Sequence, residues 1–321
     1  MPSEFELIAR YFARPEDRMA SDSAGVALGS GDDCALLLPA PGQQLAVSVD
    51  TSVVDVHFPG GAPPETVGHR CLAVALSDLA AMGARARWCV MALTLPEADE
   101  SWLAGFADGF HALCDACGVV LVGGDVTRGP LSIAVTVHGE VPPGEALKRD
   151  GGRAGDLVAV SGPLGGGLGG LHAWRSGKRD LTDPLLTAYL LPQPRLAAGL
   201  ALRGLAHCAI DISDGLLADL GHLCAASGVG AELDIERLPL AEGLEAALGS
   251  DGARQAALTG GDDYELLFSL PATALERAER CLSECGLEVT VIGRLRESPG
   301  IGGVDISDLP TGWQHFSGMP S

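Results

Sequence analysis

Five times along this 321-residue chain an apolar run meets a cluster of aspartate with glycine or hydroxyl residues. The clusters are Gly31-Asp32-Asp33, Ser48-Val49-Asp50-Thr51, Gly123-Gly124-Asp125, Asp211-Ile212-Ser213-Asp214-Gly215 and Gly260-Gly261-Asp262-Asp263. Glycine and aspartate end strands because glycine adopts turn conformations that other residues resist and aspartate bonds nearby main-chain amides. The chain is therefore cut into short strands, and carboxylates are set at their ends.

Between the clusters the apolar periodicity alternates. Strand-like runs fall at 34–38, 45–51, 88–95, 119–123 and 132–141, the last with Ile133, Val135 and Val137 on a period of two; helical patterns fall near 66–83 and 99–117. Ser3 and Glu6 form a capping-box pattern ahead of Phe5, Ile8, Tyr11 and Phe12, which predicts a short helix with one apolar face. The segment 142–156, rich in proline, glycine and charge, reads as a connection, so domains are expected at 1–145 and 146–321. Beyond it, strand-like runs at 157–161, 209–212, 231–235, 265–269 and 288–292 alternate with helical stretches near 185–205, 215–227 and 272–285. Both halves read as α/β. The tail from Ser298 carries Trp313, His315 and Phe316, aromatic-type residues that a disordered tail would lack, and it is expected to fold back onto the body.

Charge narrows the function. A net charge of −21 excludes a nucleic-acid or anionic-membrane surface, both of which need basic patches. It also repels phosphates, unless divalent cations stand between the carboxylates and the substrate. Only Lys148 and Lys178 are lysines, which leaves arginine most of the cationic work. Glu4, Glu6, Arg10, Arg14, Glu16, Asp17 and Arg18 interrupt the first twenty residues, so no secretory apolar core is expected there, and the longest uncharged run, Leu157 to Trp174, is too rich in glycine to span a bilayer. The expected location is the cytoplasm. Nine cysteines without export signals are expected to be reduced; Cys114 with Cys117, and Cys281 with Cys285, are expected to be structural and buried.

Hard divalent cations take oxygen ligands, and Mg²⁺ borrows a few carboxylates together with substrate phosphates. The aspartate clusters suit that chemistry. Asp78, inside the apolar stretch 72–82, needs a partner; it is either a metal ligand or, with Ser77, the N-cap of a second short helix. Asp214 and Ser213 precede the helical run from Leu216, where free N–H groups could receive a phosphate. The run 161–170 follows a strand and formally contains G-x-G-x-x-G at Gly165, Gly167 and Gly170, but without a ribose-binding acid to support it. There is no G-x-x-x-x-G-K-[ST] and no protein-kinase motif set, so ATP chemistry would need another scaffold.

The clusters, in this order, resemble the thiamine-monophosphate kinase family of the aminoimidazole ribonucleotide synthetase superfamily. The matching motifs include Gly31-Asp32-Asp33-Cys34-Ala35, His57-Phe58 after Asp50, Leu76-Ser77-Asp78-Leu79-Ala80-Ala81-Met82-Gly83, Gly123-Gly124-Asp125-Val126-Thr127-Arg128-Gly129 and Gly260-Gly261-Asp262-Asp263-Tyr264-Glu265. The resemblance implies a two-domain α/β (α+β) fold, an N-terminal domain that dimerises through its sheet, and an ATP site in the cleft between domains. It implies that Asp32, Ser48, Val49 through its main chain, Asp50, Asp78, Asp125, Asp211 and Asp214 hold several Mg²⁺ ions. Gly124, Asp125, Arg149 and Ser213 would contact ATP, and His57, Asp262 and Trp313 would line the thiamine monophosphate pocket. Val49, Asp262 and Trp313 stand where family members often carry Thr, Glu, and Tyr or Phe. The implied reaction is ATP-dependent formation of thiamine diphosphate by a homodimer.

Three other readings compete. A superfamily enzyme that activates an amide oxygen would not bind thiamine monophosphate, a nucleotide-binding regulator would bind without turnover, and a nicotinamide oxidoreductase would bind NAD.

Overall fold

The structure, a computed structural model, describes residues 3–14 and 24–304. The chain divides into two compact units, Met1–Leu79 with Ala84–Ala146, and Ala80–Gly83 with Leu147–Ser321. Mixed helix and sheet in both agrees with the expected fold class.

In the first unit the capping box is present: the Ser3 hydroxyl accepts the Glu6 amide, and the Glu6 carboxylate accepts the Ser3 amide at 2.7 Å. The helix it starts, α1 (Glu4–Leu7), widens at once into a π turn over Ile8–Phe12. That change of pitch breaks the expected apolar face. Leu7 and Phe12 are buried, and Phe5 is left exposed. The elements that follow are β1 (Val26–Leu28), β2 (Leu36–Leu37), β3 (Gln44–Val53), α2 (Pro64–Ala81), β4 (Arg85–Leu95), α3 (Glu100–Cys117), β5 (Val120–Arg128) and β6 (Ser132–Val141).

The four long strands form one sheet in the order β3-β6-β4-β5, antiparallel except for β4 with β5. The period-two residues Ile133, Val135 and Val137 point into a core with Leu72, Leu76, Phe106 and Phe110. Helices α2 and α3 cross closely there. A Cβ on Gly68 would stand 2.0 Å from the Phe106 carbonyl oxygen, and one on Gly109 would stand 1.9 Å from that of Glu65. On the sheet's other face, Trp88 packs with Val26 and Val122 under β1 and β2, and its indole N–H donates to the Ala24 carbonyl. The edge strand β3 shows a different surface: Leu45, Val47 and Val49 are 50%, 58% and 62% exposed.

The second unit runs β7 (Leu157–Val160), α4 (Gly166–Arg175), α5 (Pro184–Leu190), α6 (Leu196–Leu202), β8 (Cys208–Asp211), α7 (Leu216–Ser227), β9 (Gly230–Leu233), α8 (Leu244–Thr259), β10 (Leu266–Leu270), α9 (Leu275–Glu284), β11 (Thr290–Arg296) and β12 (Ile301–Gly302). Its sheet has the order β12-β9-β11-β7-β10-β8, antiparallel throughout except at β12. Strands β7, β8 and β10 are buried on both faces. One face packs Val158, Ile210 and Leu267 on Leu220 and Leu223 of α7; the other packs Ala159, Ala209 and Phe268 on Leu202 of α6 and Leu282 of α9. The single helix expected over 185–205 is two, separated by the prolines at 192 and 194. Of the tail, residues 301 and 302 do fold back as β12; His315 and Phe316 lie outside the described residues. All nine cysteines are free thiols. Cys114 is buried as expected, Cys117 and Cys281 are partly so, and Cys285 is exposed because it follows the last turn of α9.

Replacing Gly109 by Ala should cost about 1–3 kcal/mol of stability in urea unfolding, because a backbone carbonyl of α2 must move to admit the methyl. An unchanged midpoint would mean that the two helices can separate freely.

Candidate active site

In the first unit the sheet sorts the predicted residues into two groups. Asp32, Gly124 and Asp125 line a cavity of about 620 Å³, together with Asp33, Phe5 and Phe12. Asp125 is carried by the edge strand β5 and Asp32 by the turn between β1 and β2; both are exposed. The second group sits between β3 and α2. The Ser48 hydroxyl donates to the Asp78 carboxylate at 2.5 Å, and Asp50, two residues along the strand, shares its face; the Cys71 thiol in α2 is pushed up chiefly by burial, with the Asp50 charge a smaller addition. Val49 therefore points the other way, with an exposed side chain. Helix α2 is continuous through Ser77 and Asp78, which removes the N-cap reading and leaves Asp78 with Ser48 as its partner.

His57 lies in a turn after β3. Its Nδ1 accepts the Val53 amide at 3.0 Å, which puts the ring proton on Nε2, and its carbonyl accepts Arg70 Nε.

In the second unit, strand β8 ends on buried Asp211, and the loop Ile212–Gly215 leads into α7. The amides of Ser213 and Asp214 are not open to a phosphate. Both donate to the carboxylate of buried Asp219, at 3.1 Å each. Burial, with the charges of Asp211 and Asp214, pushes Asp219 up to about 7 against the pull of those amides. At the other end of α7, Ser227 donates its hydroxyl to the Arg149 carbonyl at 2.8 Å and accepts the Gly152 amide at 3.0 Å. The loop entering this helix thus carries Ser213, and the helix's last residue fastens the exposed Arg149 segment.

Asp262 sits in a turn with φ 69°, its amide bonded to the Ser213 carbonyl at 2.9 Å and its carboxylate to the Tyr264 hydroxyl at 2.8 Å. The neighbouring Asp263 accepts the amides of Gly165 and Gly167 at 2.7 and 3.0 Å. These are the amides a dinucleotide phosphate would need, and β7 pairs only with antiparallel neighbours, so the G-x-G-x-x-G reading fails on both counts. Glu265 is buried and paired with Arg195 and the Ser161 hydroxyl. Asp263, Glu265 and Arg195 border a second cavity of about 230 Å³. Asp219 and Arg195 are not singled out by the sequence, and Asp263 and Glu265 stand there only inside a motif with no role of their own, because nothing in the sequence separates a carboxylate that anchors a loop from one that faces a ligand. Trp313 lies outside the described residues.

The donor set fits Mg²⁺. It is oxygen throughout, and Asp211, Asp214 and Asp219 crowd negative charge that a cation would relieve. Among the described residues no three acid, histidine or cysteine side chains enclose an ion by themselves.

The sequence matches the AIR synthase related protein N-terminal domain over 31–141 and the corresponding C-terminal domain over 153–306. Thiamine-monophosphate kinase of Salmonella typhimurium is 44% identical over 296 residues, covering 91% of this chain and 90% of its own length. The crystal structure of thiamine-monophosphate kinase from Stenotrophomonas maltophilia K279a is 45% identical and matches with a TM-score of 0.83, covering 92% of this chain and 93% of that one. A structure described as AaThiL complexed with AMPPCP and TMP is 32% identical, with a TM-score of 0.79 and coverage of 98% and 97%.

A carboxyl raised in the folded state binds its proton more tightly there, so its contribution to stability is present at low pH and lost as pH rises from the ordinary aspartate value of 3.8 through about 7. In metal-free protein the stability of Asp219→Asn relative to wild type should therefore improve between pH 5 and pH 8. Urea midpoints that keep the same difference at both pH values would refute the burial argument.

Proposed function

The chain belongs to the AIR synthase related protein family and, within it, to the thiamine-monophosphate kinases, and on that premise we propose that it forms thiamine diphosphate and ADP from thiamine monophosphate and ATP by direct in-line transfer. The observation that carries the reading is the bond between the Asp262 amide and the Ser213 carbonyl. It joins the residue proposed for the acceptor to the residue proposed for the nucleotide, in a chain that matches the kinase along its length.

The acceptor phosphate, a monoester with a second pKa near 6, is mostly dianionic at neutral pH and needs no general base. The carboxylates are then free to hold metal, and none has to carry a proton. Asp32, Ser48, Val49 by its main chain, Asp50, Asp78 and Asp125 of the first unit, and Asp211 and Asp214 of the second, would hold several Mg²⁺ ions. When bound, these supply charge neutralisation for the phosphates and for the transferring group. Gly124, Arg149 and Ser213 contact ATP; His57 Nε2–H, Asp262 and Trp313 contact thiamine monophosphate. Ser227 keeps the Arg149 segment in place, so Ser227→Ala should raise the KM for ATP several-fold.

We also propose a homodimer. The stripe of Leu45, Val47 and Val49 on the outer face of an edge strand is apolar surface that association would cover. Sedimentation should give twice the chain mass, and Val47→Glu should give the monomer; a monomeric wild type would sink the idea. No described helix is long and apolar enough to cross a membrane, in keeping with work in the cytoplasm.

Product analysis by mass, after incubation with ATP, Mg²⁺ and either thiamine monophosphate, thiamine or no acceptor, tests the reaction. Thiamine diphosphate should form from the monophosphate alone and vanish with chelator. Binding of ATP without any diphosphate would transfer the chain to an amide-activating or regulatory role. Asp50→Asn and Asp125→Asn should each lower the rate at limiting Mg²⁺ by about tenfold or more, with partial recovery at high Mg²⁺. Full activity in either variant at limiting Mg²⁺ would remove that residue from the metal set.

A further inference from the structure

We propose that Asp263 is the positioning residue of the acceptor site: its carboxylate locks the start of α4 to the turn Gly260–Tyr264 and so holds Asp262 against Ser213. What Asp262 and Ser213 do rests on the kinase reading above; the lock itself rests on geometry.

Three layers of backbone meet here without room for side chains. A Cβ on Gly167 would lie 2.4 Å from the Gly261 carbonyl oxygen and 2.7 Å from the Asp262 carbonyl carbon, and a Cβ on Gly261 would lie 2.4 Å from the Ser213 carbonyl oxygen. Close contact alone does not fix register. Asp263 does, because its two oxygens each take one amide, from Gly165 and from Gly167. The Asp262 amide then joins the second layer to Ser213, and the Tyr264 amide joins it to Ile212.

The turn also has to be held. Asp262 at φ 69° and Tyr264 at φ 52° both occupy the left-handed region, which aspartate tolerates and a tyrosine rarely adopts. Such conformations persist where surroundings over-determine them. With both oxygens engaged by amides, Asp263 is placed to act through Asp262, and a catalytic role is not needed for it.

The energetics point the same way. Burial, reinforced by the charges of Glu265 and Asp262, pushes Asp263 up to about 7 although the two glycine amides pull it down. An ionised carboxylate in that place stabilises the fold less than a neutral isostere of the same shape would. Asparagine, however, turns an N–H₂ toward one of the two amides, setting donor against donor.

The test compares wild type with Asp263→Asn, and with Gly167→Ala as a second way of parting the layers. Asp263→Asn should keep its melting temperature within about 4 °C of wild type. Amide exchange at Gly165, Gly167 and 260–264 should quicken by about tenfold. The KM for thiamine monophosphate should rise by about tenfold, with the KM for ATP changed less than about threefold. Gly167→Ala should show the same split. Wild-type exchange and KM in Asp263→Asn would overturn the proposal, as would faster exchange with an unchanged acceptor KM, or failure of Asp263→Asn to fold, which would make the residue merely structural. If wild-type protein makes no thiamine diphosphate, the kinase reading falls instead. The lock is then judged by exchange at Gly165, Gly167, Asp262 and Tyr264, which should quicken in Asp263→Asn and would overturn it by staying unchanged.

Discussion

Two carboxylates with no cation partner among the described residues are held by main-chain amides, Asp219 by Ser213 and Asp214, and Asp263 by Gly165 and Gly167. The candidate site of the second unit is built on these four bonds. An ionised group drawn out of water needs charge-assisted hydrogen bonds of this kind. In return it draws the amides of a loop to one point. The contrast is Glu265, which is buried beside them but neutralised by Arg195. Arginine closes an ion pair; the amides close a loop.

The same bonds decide how a phosphate can be recognised. Amides already given to Asp219 and Asp263 cannot also receive a nucleotide, so the usual means of holding phosphate, a helix start or a glycine loop, is spent internally at both places. What remains is hydroxyl, arginine and metal. In a chain with a net charge of −21 and two lysines, divalent metal would supply positive charge that the side chains give sparingly. A carboxylate neutralised by a protein cation would bind Mg²⁺ poorly.

Much of the fold could be read from the residues, and the misreadings have identifiable causes. The period of two in Ile133–Val137 correctly set a strand face, and the Ser3–Glu6 pattern marked a real helix start, because both depend on neighbours in sequence. Strand direction in the second unit was beyond such reasoning: β7, β8 and β10 are buried on both faces, so their runs are largely apolar without alternation and carry no sign of an antiparallel partner. Helix α8 escaped notice because Gly249 and Gly252 interrupt it and its buried face is mostly alanine, which periodicity weighs lightly. Helix α4 begins inside a run of glycines, which local propensity would call a loop; the tight approach of Gly167 to Gly261 requires them.

The site shows the limit most sharply in the pair Asp262-Asp263. Adjacent in sequence and identical in chemistry, they divide only when the turn gives Asp262 a positive φ and sends the two side chains apart, one to the Tyr264 hydroxyl and one to the glycine amides. A cluster of aspartates announces that oxygen donors converge. Which of them face a ligand and which support the ones that do is set by backbone conformation and by the count of unpaired amides nearby. Asp214 and Asp219 repeat the division five residues apart. Asp219 is consumed by the loop that carries Asp214, as Asp263 is by the loop beside Asp262, so each of these two proposed ligand-facing acids has a second acid behind it held by main-chain amides.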